Sequence, residues 1–72
     1  MGLAARIGAE WEAGERDLYA ALGRAVAAEG PDDPGAAADA AVAGLEGEPG
    51  ARLRAVDRGL LRAVARAAAG RE

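Results

Sequence analysis

The sequence predicts an all-α fold, either a small three-helix bundle or a helical hairpin, completed by oligomerisation. Three observations carry this expectation. Large apolar residues recur at helical spacing, stretches rich in Gly and Pro divide the chain into three pieces, and nothing reads as a strand. No segment alternates apolar with polar residues, and with no Thr and one Ile the β-branched residues that favour a pleated surface are scarce.

The first piece is expected to be a helix over about residues 3–29. Leu3, Ile7, Trp11, Leu18, Leu22 and Val26 form one stripe, with Gly14 and Ala25 filling the gaps. Gly30 followed by Pro31 closes it, because Gly accepts the left-handed conformation and Pro cannot continue the ladder. Gly8 and Gly14 each cost roughly 1 kcal/mol relative to Ala in a helix, which allows a break near Gly14.

The second helix is expected over about 34–46. Asp33 can accept hydrogen bonds from the free amides of a first turn, and Pro34 brings its fixed φ to the first helical position. Ala38, Val42 and Leu45 mark its apolar face, and Gly47 ends it. The third, over about 49–69, opens on Pro49 and carries Leu53, Val56, Leu60, Val64 and Ala67 as its stripe before Gly70. The short connections make neighbouring helices antiparallel.

Seventy-two residues make a single domain, 1–72, near the lower size limit for a chain without disulfide or metal. The chain is alanine-rich: 22 of its residues are Ala and only fifteen are large and apolar, so the core is small for the number of residues it must order. That shortfall is the argument for a homo-oligomer. A disordered chain is the competing reading of such a composition, and the stripes and helix-end signals weigh against it.

The alphabet excludes much chemistry. With no Ser, Thr, Cys, Lys or His there is no ordinary nucleophile, no thiolate zinc site and no imidazole acid–base group. Twelve carboxylates remain, scattered around helix faces, and "PDDPG" offers only two adjacent ones, too few for a carboxylate metal site. No specific phosphate-loop pattern occurs. No enzyme activity, cofactor or metal is therefore expected. No basic segment leads into an apolar run, and no run approaches the ~20 apolar residues of a membrane span, so a cytoplasmic protein with no membrane partner is expected.

Charge is divided unevenly. Residues 1–50 carry three Arg and ten acids, whereas residues 51–72 carry six Arg and two acids. Arg54, Arg58, Arg62 and Arg66 recur every fourth residue opposite the apolar stripe of the third helix. All nine basic residues are Arg, the mark of a GC-rich coding sequence, which discounts any special meaning of Arg over Lys. Four uses compete for the row: a solvated face, attraction to Glu10, Glu12, Glu15 and Asp17 of the acidic first helix in the same or another copy, phosphates of a nucleic acid, or a membrane surface. The acidic remainder of the chain disfavours both polyanions.

Trp11 reads either as a core residue over the small Gly14 or as an interface anchor, and Tyr19 widens the same stripe. The expected function is non-enzymatic: a small helical protein–protein interaction module or accessory subunit, acting by helix packing with itself or a larger protein. Its interface is expected at Trp11, Leu18, Tyr19, Leu22, Leu60 and Val64, oriented by charge complementarity between the acidic and basic helices. The alternative is a small nucleic-acid-associated regulator using the basic C-terminal helix.

Overall fold

A computed structural model describes residues 2–70. Among the described residues there are five helices and no strand: α1 (Leu3–Glu12), α2 (Leu18–Glu29), α3 (Pro34–Gly44), α4 (Gly47–Arg54) and α5 (Arg58–Ala69). The all-α expectation holds, but the three helices expected from the sequence become five. The segments 3–29 and 49–69 are each divided in two.

Length explains the first division. An unbroken helix over 3–29 would be about 40 Å long at 1.5 Å per residue, whereas the longest dimension of the molecule is 27 Å. Gly14 takes φ 103°, a conformation that L side chains rarely adopt, and turns the chain back. Asp17 then caps α2, its Oδ1 accepting from the amides of Tyr19 at 3.1 Å and Ala20 at 3.2 Å. The two helices run antiparallel, as the ion pairs Arg6–Glu29 and Arg24–Glu10 record.

The second division lies at residues 55–57, where Asp57 accepts from the Leu60 amide at 3.1 Å and starts α5. This restart changes the phase of the helix. Leu61, Ala65 and Ala68 turn to the core in place of the expected Leu60 and Val64; Leu60 is 49% exposed and Val64 half-buried. The stripe through Leu53, Val56, Leu60 and Val64 would share one face only if the helix ran unbroken.

The start of α3 follows expectation. Asp33 accepts from the Ala36 amide at 3.1 Å, Pro34 occupies the first turn, and Gly30 ends α2 at φ 58°. The helix stops at Gly44 rather than residue 46, because Leu45 leaves helical geometry to enter the core, where it is 6% exposed.

α5 packs chiefly on α3 and α2. Gly35 and Asp39 of α3 lie beside Arg66, Arg62 and Arg58 in reverse order, so α3 and α5 are antiparallel. The core holds Ile7, Leu18, Leu22, Val26, Val42, Leu45, Leu53 and Leu61, with Ala21, Ala25, Ala38, Ala65 and Ala68 between them. Alanine brings helix axes close, and Gly50 lets α4 fold back on the residue that ends α3. A Cβ there would stand 1.9 Å from the Leu45 carbonyl oxygen.

Candidate interaction surface

A groove of about 780 Å³ lies between α2 and α5. Ala20, Gly23 and Ala27, at three- and four-residue spacing, form the α2 wall; Val64 and Ala68 form the other. The walls are close because both sides are small: a Cβ on Gly23 would meet the Ala68 Cβ at 3.6 Å. Tyr19 and Leu60, 43% and 49% exposed, are the large apolar residues left in solvent on these same two helices. Leu60 stands one turn before Val64 on α5.

Charges of both signs border the groove, Asp17 at the start of α2 and Arg24 along it. At the start of α2, Tyr19 also borders a notch of about 310 Å³ floored by Leu18, Leu53 and Val56 and flanked by Arg16 and Arg52. Both guanidiniums lie over the Trp11 ring, at 4.1 Å for Arg16 and 5.5 Å for Arg52. Arg52 also pairs with Glu48 at 2.9 Å, but both side chains are more than half exposed and the pair is worth little. At the end of α2 the groove reaches Gly30 and Pro31, followed by Asp32 and Asp33. Asp33 is held by its capping bond, and Asp32 is exposed.

The structure separates the interface residues expected from the sequence into three groups. Tyr19 and Val64 line the groove, and Leu60 is exposed on α5 one turn before Val64. Trp11 is half-buried against the core beneath its two arginines. Leu18 and Leu22, 8% and 0% exposed, belong to the core and have no surface to offer. Their stripe is continuous with Trp11 and Tyr19 only in a helix unbroken at Gly14.

Three arginines of the row make hydrogen bonds within the chain, while Arg54 and Arg66 stay exposed. Arg54 Nη1 donates to the carbonyls of Val42 at 3.0 Å and Leu45 at 2.7 Å, closing the end of α3. Arg58 Nη2 donates to Leu53 O at 2.8 Å and Val56 O at 3.1 Å, closing the end of α4. Arg62 Nη1 bonds Asp39 Oδ2 at 2.8 Å, with Arg58 Nη1 3.7 Å from Oδ1 of the same carboxylate. Arg66 lies against Gly35.

The acids of the first segment are occupied elsewhere. Arg24 Nε bonds Glu10 at 2.7 Å, its Nη2 bonds Glu15 at 2.6 Å, and Asp17 caps α2. The expected attraction between the acidic first helix and the basic third is thus absent within the chain among the described residues; Glu12 is exposed. Hydrogen bonds from the Asp17 amide and Arg24 hold the Glu15 carboxyl below its usual range, and Arg6 does the same for Glu29. Arg24 is raised by Glu15 and Glu10.

Sequence reasoning missed the groove wall and the two arginines over Trp11. The wall had a signal, since Ala20, Gly23 and Ala27 share one helical face; the approach of Arg52 is tertiary and had none. Among the described residues, no three acidic side chains gather as a metal site, and no helix is long and apolar enough to cross a membrane. Comparison of the chain with protein families, curated proteins and solved structures gives no match in any of the three.

Proposed function

We propose that this chain is a non-enzymatic helical interaction module or accessory subunit that works by helix packing through the α2–α5 groove, with a second copy as its partner. One observation carries the reading: Tyr19 and Leu60, exposed large apolar residues, stand on the two helices that frame a groove of mixed polar and apolar lining. Apolar side chains beside a preformed concave surface are the usual anchors of association. The small alanine core adds a reason for a second copy, because covering this face removes further apolar area from water.

Light scattering after size exclusion tests it. The wild-type chain forms a discrete oligomer at tens of micromolar, and Tyr19→Ala with Leu60→Ala returns it to monomer without loss of helicity. A wild-type monomer at that concentration overturns self-association.

The nucleic-acid alternative gains nothing from the geometry. Arg54, Arg58 and Arg62 would have to leave helix-end carbonyls and Asp39 to reach phosphates. Binding to generic duplex DNA with a steep salt dependence would reopen it.

A further inference from the structure

The joint between α4 and α5 differs from the others. Each of the other connections is marked by a left-handed glycine, Gly14 at φ 103°, Gly30 at 58° and Gly47 at 74°, a conformation that ends a right-handed helix. Residues 55–57 hold no glycine, no proline and no positive φ. Ala55 keeps helical angles, and Asp57 has a helical φ of −54° and departs in ψ, at 133°. Two side chains hold groups that a continuous helix would pair through its backbone. Unbroken, the helix would have the Asp57 amide donate to Leu53 O and the Leu60 amide to Val56 O. Bent, Arg58 Nη2 donates to those same two carbonyls, and Asp57 Oδ2 accepts from that same Leu60 amide. The apolar pattern agrees. Leu53, Val56, Leu60 and Val64 share one face of a straight helix, whereas Leu60 is 49% exposed in the bent one.

We propose that α4 and α5 form a two-state hinge, bent in the closed chain and straight in an exchanged dimer in which α5 of each copy takes the place of α5 in the other. Length and fit choose the occupant. A straight helix over 47–69 is about 35 Å long at 1.5 Å per residue, against a longest dimension of 27 Å for the closed chain, so α5 leaves its seat. That seat is on α3 and α2, where α5 packs chiefly. Its bond from Arg62 to Asp39 and its close approach at Ala68 to Gly23 are remade in full by an identical helix. Exchange therefore conserves the interface and changes the hinge alone, which is why swapping is a low-cost route to a dimer. It is distinct from the groove packing proposed above, which leaves each α5 in its own chain.

A disulfide reports which chain an α5 belongs to. The sequence has no cysteine, and a Cβ on Gly23 would stand 3.6 Å from that of Ala68, within the span a disulfide needs. With Gly23→Cys and Ala68→Cys, closed chains oxidise to a monomer and exchanged chains to a covalent dimer, read on a non-reducing gel. Circular dichroism under reduction checks that each variant stays helical. Adding Asp57→Ala and Arg58→Ala removes bonds that only the bent joint uses, and tightens the exchanged dimer on the order of tenfold in Kd. Adding Arg58→Pro instead loses the same clamp, but proline suits the first turn of α5 and bars the straight helix, so the covalent dimer disappears. The unaltered hinge, unfolded in urea and refolded at millimolar rather than micromolar concentration before oxidation, gives covalent dimer with no hinge substitution. Intrachain bonds alone after the concentrated refolding overturn exchange, as does covalent dimer from Arg58→Pro as readily as from the alanine variant.

Discussion

The turn between α1 and α2 and the turn between α4 and α5 solve one problem in two ways. Each interrupts an apolar stripe, and each hands over to an aspartate that caps the next helix. At the first, Gly14 supplies the reversal through its own backbone, and Arg16 adds a bond to the Trp11 carbonyl at 2.8 Å. At the second no residue has positive φ, and Arg58 holds the Leu53 carbonyl of α4 and the Val56 carbonyl of the connection. A glycine turn carries its own geometry; an arginine-clamped turn borrows it from a side chain.

The two turns therefore respond differently to substitution. The largest effect is expected beside the clamped one, where Gly50→Ala drives a Cβ into the Leu45 carbonyl and shifts α4 away from the end of α3. Overpacking of this kind costs roughly 1–3 kcal/mol or more, read as a lowered urea midpoint. Removing Arg54 as well does not rescue it, because the nearest atom to the new methyl is backbone.

Arg58→Ala comes next. It leaves the carbonyls of Leu53 and Val56 without their donor, for a loss of about 1–3 kcal/mol. Arg16→Ala, whose exposed bond to Trp11 O only supplements Gly14, costs less than half as much in the same denaturation experiment. Equal losses would show that the glycine turn depends on its arginine too.

The smallest effect is in pH. Glu15 and Glu29 titrate below their usual value of about 4.5 in the folded chain, so their contribution is complete above that value and is lost as pH falls through the folded ones. Both lie on the α1–α2 pair. Melting followed from pH 7 to pH 3 is expected to decline below about pH 4.5, and Glu15→Gln to shallow that decline while lowering stability at neutral pH.

What was legible in the sequence had local causes. Gly30–Pro31 and Asp33–Pro34 specify their helix ends within a few residues, and Ala38, Val42 and Leu53 fall on the faces their spacing predicts. The cost of Gly14 allowed the first break, whereas the second was hidden because a 3.6-residue stripe continues across it without a change in composition. Their signals were Asp17 and Asp57, residues suited to a first turn but readable as ordinary surface acids. Missing the second one exchanged Leu60 for Leu61. The bonds of Arg54, Arg58 and Arg62 were beyond local reasoning altogether, since their partners lie on α3 or at the ends of α3 and α4, and only folding brings carbonyls of helix ends within reach. In a chain with no Ser, Thr, Asn, Gln or Lys, Asp starts three helices and Arg closes the ends of three.

The alanines of the core have a thermal consequence. A 72-residue domain of average composition gains about 1 kcal/mol/K of heat capacity on unfolding, mostly from newly hydrated apolar surface. With five of its thirteen buried apolar side chains reduced to a methyl, this one gains less. Its stability curve is correspondingly shallow, so folding free energy drifts little with temperature. The enthalpy of melting is small as well, and the transition spreads over a wide range of degrees instead of breaking sharply.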